Sequence, residues 1–125
     1  ATNATDTRLF KSEYQGGRWT HPVTLAAHFG VGPTVDEFAV QMDALGETVI
    51  AYTAKDAVQP FAMYLSEFRL GQWQHAAALS EHISPTGPDT SLPRVSIDGR
   101  NQVVVLWRQS TGANGHAFIS EYRDI

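Results

Sequence analysis

Three serines set the frame of this sequence. Ser12, Ser66 and Ser120 stand 54 residues apart, and each opens a Ser-Glu-aromatic tripeptide: Ser12-Glu13-Tyr14, Ser66-Glu67-Phe68 and Ser120-Glu121-Tyr122. The first two copies continue alike, through Gly16-Gly17-Arg18-Trp19 and Leu70-Gly71-Gln72-Trp73. A fixed period of this length, outside low-complexity sequence, predicts one supersecondary unit repeated along the chain, each copy burying its apolar face against the next.

The equivalences run well beyond the tripeptide. Gly17 matches Gly71, Trp19 matches Trp73, His21 matches His75, Leu25 matches Leu79 and His28 matches His82 at a spacing of 54. Gly32-Pro33 then matches Gly87-Pro88, Asp43 matches Asp98 and Tyr52 matches Trp107 at 55. One residue is therefore inserted after His28, and one is removed before Ser120. Both changes fall where loops are expected, and loops tolerate them. The copies run from about 12 to 65 and from 66 to 119, with a partial third at 120–125.

Within each copy the apolar residues alternate with period two or form short β-branched runs, which predicts strands. The expected strands are 8–14, 18–26, 37–43, 48–54, 61–69, 73–79, 92–98, 102–108 and 116–123. Pro22 confines the second of these to an edge or a bulge. Read alone, Thr34 to Gly46 resembles an amphipathic helix, with Phe38, Ala39, Met42 and Leu45 at helical spacing and a terminal glycine. Its repeat partner carries Pro93 and the turn Asp98-Gly99, which a helix does not accommodate, so the strand reading is kept for both. Val103 to Leu106 is continuously apolar, and such a run predicts burial on both faces of its sheet.

The totals narrow the function. With 125 residues and 42% hydrophobic content, residues 8–125 suffice for one domain with a core, preceded by a small, polar and flexible segment, 1–7. That segment resembles a trimmed terminus and holds a glycosylation sequon at Asn3-Ala4-Thr5. The absence of cysteine excludes a disulfide framework and thiolate metal sites. A net charge of −4, with nine scattered Lys and Arg residues, argues against nucleic acid as a partner. No apolar run is long enough to span a membrane as a helix.

Once aligned, the copies resemble the repeat of bacterial β-propeller proteins, many of them secreted. The likeness is carried by Tyr14 to Trp19, Pro22 to Leu25, Val40 to Asp43 and Val49 to Tyr52, and again from Phe68 to Trp107, with Ala76 standing where the first copy has Pro22. It implies an all-β fold of two four-stranded antiparallel blades plus a surplus strand, and a secreted or extracellular location. Two blades leave open edges, which invite pairing with another chain. Completion of the blades is therefore expected, with strand 18–26 joining the sheet begun by 92–123 in the same or a neighbouring chain, and self-association to a trimer of six blades preferred. A piece of a longer propeller and a two-sheet sandwich are the alternatives.

Candidate site residues follow from the same repeat. Trp19, Trp73 and Trp107 offer indole faces, while Glu13, Glu67, Arg94 and Arg108 offer charged hydrogen-bonding groups. Together they suit a sugar, whose apolar face stacks on indole and whose hydroxyls need carboxylate and guanidinium partners. The preferred function is thus a non-catalytic, lectin-like binding module without metal or cofactor. A structural or protein-interaction subunit is the alternative, and a glycoside hydrolase the third reading. The histidines, seven apart in each copy, do not converge on one metal, and no HExxH or Gly-x-Ser-x-Gly pattern occurs. Asp43 and Asp98 are read as turn residues that hydrogen-bond to backbone.

Overall fold

A computed structural model describes residues 6–100, 102–110 and 115–123; the sequon and the last two residues of the third copy lie outside these. The described residues form nine strands: β1 (Glu13–Gln15), β2 (Arg18–Thr20), β3 (Thr34–Met42), β4 (Thr48–Lys55), β5 (Ala62–Arg69), β6 (Gln72–His75), β7 (Thr90–Ile97), β8 (Val103–Ser110) and β9 (Gly115–Tyr122). Each pairs antiparallel with its sequence neighbour, in sheets ordered β1-β2, β3-β4-β5-β6 and β7-β8-β9. The protein is all-β, and none of the sheets closes into a barrel. A single 3-10 turn, Leu25–Ala27, is the only helical element among the described residues.

Burial explains the layering. In β4, Ile50, Tyr52 and Ala54 pack on one side with Leu9, Phe29, Val31, Val35 and Tyr64. Val49 and Ala51 face the other side and pack with Met63, Val103, Val105 and Trp107. The four-stranded sheet is thus the middle layer, with the N-terminal segment and β1-β2 on one face and β7-β8-β9 on the other. Seven consecutive β4 residues are buried, which is why that strand reads as a continuous apolar and β-branched run rather than an alternation.

β8 behaves differently. Val103, Val105, Trp107 and Gln109 are buried, while Leu106 and Arg108 between them are exposed. The expectation of burial on both faces fails here because no described layer covers the outer side of this sheet. The short first strand has a related cause. β5 is ordered along its length by β4, whereas Arg8 to Ser12 has only an isolated bridge, Leu9 to Phe29, so the expected strand 8–14 is reduced to β1. Thr7 is nevertheless fixed, since its hydroxyl donates to Val35 O at 2.7 Å and its amide to Pro33 O at 3.0 Å.

β2 ends at Thr20, two residues before Pro22, although strand was expected to Ala26. β6, with Ala76 in the place of Pro22, runs only one residue further, to His75, so the early ending belongs largely to the repeat rather than to Pro22 alone. Pro93 sits in edge strand β7 at a bulge between Ser91 and Arg94, where a missing N–H costs no ladder bond. The same irregularity recurs in β3 between Val35 and Phe38.

The repetition extends to side chains. His21 Nδ1 bonds Ser12 Oγ at 2.8 Å, and His75 Nδ1 bonds Ser66 Oγ at 2.9 Å. Trp19 stacks on His21 with ring centroids 5.3 Å apart, and Trp73 stacks on His75 at 5.4 Å. Phe10 meets His28 edge-on, as Tyr64 meets His82. Asp43 Oδ1 accepts from the amides of Leu45 and Glu47; Asp98 Oδ1 accepts from those of Arg100 and Gln102. Both aspartates therefore close their turns by bonding to backbone. These hydrogen bonds hold the Asp98 carboxyl below its usual range.

Candidate functional site

A cleft of about 610 Å³ lies between the β1-β2 hairpin and the middle sheet. Its hairpin wall carries Glu13, Tyr14 and Trp19; the sheet supplies Val40, Met42, Ile50, Phe68 and Trp73. The sheet side is apolar because alternation puts Phe38, Val40 and Met42 on the same face as their cross-strand partners Tyr52, Ile50 and Thr48. Ile50 and Tyr52 are buried by the N-terminal segment, but Phe38, Val40 and Met42 are 62%, 53% and 64% exposed.

Polar chemistry gathers at the mouth. Glu13 accepts from Trp73 Nε1 at 3.1 and 3.2 Å, from Gln15 Nε2 at 2.9 Å and from the Lys11 ammonium, with which it forms an ion pair. Burial pushes the Glu13 carboxyl upward, but the hydrogen bonds of Lys11 and Trp73 and the Lys11 charge outweigh it and hold the group below its ordinary value. Lys11 Nζ also lies 4.8 Å from the Trp73 ring centroid. His75, stacked on that ring, titrates below the ordinary histidine value because it is desolvated and stands near Lys11, with Glu13 partly opposing.

The seven sequence-predicted site residues occupy four places. Glu13, Trp19 and Trp73 meet at the cleft, with Trp19 61% exposed and Trp73 half-buried among Phe29, Phe68 and His75. Glu67 lies across the middle sheet, where alternation puts it on the Leu65 side, 3.6 Å from Arg69 Nε. Arg94 and Arg108 stand on the outer face of β7-β8-β9, and Arg94 Nη1 donates to Pro93 O at 2.9 Å. Trp107 is 3% exposed between the sheets, stacked on Phe118, and its Nε1 donates to Gln109 Oε1 at 3.3 Å.

Val40, Met42 and Lys11, which line the cleft, were not singled out by sequence reasoning. The available signal was the alternation Phe38, Val40, Met42 in a strand whose other face is also packed. Among the described residues, no group of three or more His, Asp or Glu side chains is placed to hold a metal ion, and no helix is long and apolar enough to cross a membrane. No protein-family model matches the chain, and neither a curated protein nor a solved structure matches it.

Proposed function

We propose that this chain is a non-catalytic binding module, built as an arc of a β-propeller, that works through the two open faces of its layered sheets. One observation carries this reading. Apolar sheet surface is exposed on both sides of the structure: Phe38, Val40 and Met42 on the part of the middle sheet that the N-terminal segment leaves open, Leu106 and Ile119 on the outer face of β7-β8-β9. Contiguous exposed apolar surface on both sides of a small domain marks interaction surface rather than a substrate pocket. The propeller reading is supported by the 54- to 55-residue period, by the antiparallel meander and by the recurring Ser–His and Trp–His contacts.

Binding of the dye ANS tests it. The native protein is expected to enhance ANS fluorescence, and F38S/M42S and L106S/I119S to lower it separately; a native protein that binds no dye would refute the reading. A carbohydrate function is favoured by one feature, the exposed Trp19 indole beside Tyr14 and Glu13 at the cleft. Screening on a glycan array, with W19A and W73A as controls, decides it: no glycan signal leaves the face-binding reading alone.

A further inference from the structure

We infer that the partner of both open faces is a second copy of this chain, docked head to tail, with β9 of one copy taking the place of β1 in the next. The inference rests on the open-face reading above and names its occupant.

The two open faces are repeat equivalents of the two halves of an interface already buried within the chain. Between the middle sheet and β7-β8-β9, Val49, Ala51, Met63 and Leu65 pack against Val95, Ile97, Val105 and Trp107. The equivalents of the first set are Val104, Leu106, Ala117 and Ile119, on the open outer face. The equivalents of the second are Val40, Met42, Ile50 and Tyr52, on the face that borders the cleft. A copy whose middle sheet stacks on the outer face of its neighbour therefore repeats a packing that this sequence already makes. The two sides differ chiefly at Arg94 and Arg108, which stand in the places of Ala39 and Thr53, so the seam between copies is more polar at those positions.

Strand pairing points the same way. β5 holds β6 through the pairs Ser66 with His75, Glu67 with Gln74 and Phe68 with Trp73. Among the described residues β9 has one hydrogen-bonded neighbour, β8. It presents Ser120, Glu121 and Tyr122 at the positions of Ser66, Glu67 and Phe68. β2 carries Trp19 and approaches His21 at the positions of Trp73 and His75, and its strand partner among the described residues is the three-residue β1, whose Glu13-Tyr14 is identical to Glu121-Tyr122. With β9 in that place, Ser120 reaches His21, Tyr122 reaches Trp19, and Glu121 accepts the Trp73 indole N–H that Glu13 accepts within one chain.

The balance favours exchange. An eight-residue strand replaces a three-residue one, and Ile119, 58% exposed, falls at the position of Lys11 over the Trp73 ring. Phe38, Val40, Met42, Leu106 and Tyr122, all more than a third exposed, become covered as well. Against these stand the replacement of Leu9 by Ala117 and the loss of the Lys11–Glu13 ion pair and of the Lys11 cation over Trp73. Burial of large apolar side chains is the larger effect. The product has two four-stranded sheets per copy, and the displaced β1 is the surplus strand. Contacts of this heterologous kind form a ring when the rotation closes, and exchange of an equivalent element is a low-cost route to them.

The chain has no cysteine, so engineered disulfides give a clean test. Thr20 pairs with Glu13 in the isolated chain and is predicted to pair with Glu121 of the neighbour after exchange. Light scattering on the full chain is expected to give a multiple of 13.7 kDa. Oxidised T20C/E121C is expected to form a covalent ladder of copies. Oxidised E13C/T20C, which locks β1 onto β2, is expected to stay at one chain mass and to assemble on reduction. Assembly of oxidised E13C/T20C equal to that of the native chain overturns the exchange and leaves the open faces as interaction surfaces. A native chain that is monomeric at every concentration, with no ladder from T20C/E121C, also overturns it. ANS binding by that monomer then separates failure of the exchange from failure of the open-face reading.

Discussion

Trp73 Nε1 donates to both carboxylate oxygens of Glu13, at 3.1 and 3.2 Å, and so ties the two-stranded sheet to the four-stranded one across 60 residues of sequence. The bond is charge-assisted and half-sheltered, and the same carboxylate also receives Lys11 and Gln15. In the single copy with β1 in place, replacing Glu13 by Ala strands the indole N–H and frees the hairpin. The expected loss is about 1–2 kcal/mol, below the full value of a hydrogen bond to a charged group because solvent reaches the site. Urea unfolding followed by tryptophan fluorescence measures it. The sign with pH follows from the depressed carboxyl: its contribution is full above the ordinary value of 4.5 and disappears as pH falls through the lower folded value. E13A should therefore flatten the acid limb of the stability profile.

His75 gives a second pH dependence with its own sign. Burial and the Lys11 charge depress its folded value below 6.5. The unfolded chain then takes up the proton first, so stability declines as pH drops below about 6.5 and levels off beneath the folded value. Proton NMR of the imidazole should show His75 titrating below the ordinary midpoint. Lys11→Met should move that midpoint up by removing the cation, and Glu13→Gln should move it down by removing the opposing carboxylate. A His75 midpoint unaffected by both variants would show that Lys11 and Glu13 are not seated on Trp73, as in the exchanged assembly; the shifts are expected of the single copy with β1 in place.

Gly30 probes the core rather than the cleft. Its φ is +78°, and an added Cβ would stand 2.5 Å from Tyr52 Oη, the hydroxyl that accepts the Val31 amide at 3.1 Å. Gly30→Ala combines a left-handed backbone cost with displacement of a buried tyrosine, and should cost roughly 2–4 kcal/mol. Gly16→Ala shares the positive φ, but its Cβ meets nothing, so it should cost only the backbone part, about 1 kcal/mol. Thermal unfolding of the two variants separates steric clash from conformational strain.

The strand order was legible because the period constrains each doubtful segment by its partner: Pro93 and the Asp98-Gly99 turn decided against a helix at Thr34 to Gly46. The distribution of strands among sheets was less legible, since whether a face is buried depends on which layer stacks on it. Trp19 and Trp73 occupy one repeat position, yet Trp73 is half-buried and receives Glu13 from the preceding sheet, while Trp19 has no preceding sheet among the described residues and is largely exposed. Trp107 shows the same limit from the other side, because the position it shares with Tyr52 lies in the core of both copies. A repeat pattern identifies equivalent positions; the neighbours of the first and last units differ from those of the middle one, and those neighbours set exposure.

The two aspartate turns test how far equivalence extends in energy. Asp43 and Asp98 each accept two backbone amides at 2.9 and 3.0 Å, in turns closed by Asp43 N to Glu47 O and Asp98 N to Gln102 O. Asp43→Ala leaves two amides to water or to nothing and should cost about 1 kcal/mol. Asp43→Asn keeps the accepting oxygen and should lie close to the native protein. Asp98→Ala should destabilise in the same direction, and its native contribution should vanish in acid, because those amides hold its carboxyl below 3.8 and protonation on lowering the pH removes the acceptor charge. The turns share no partners, so the two losses should add in the double variant. A loss well below the sum would mean that the turns are coupled through the stacked sheets, and would make the layers, rather than the single repeat, the unit of stability.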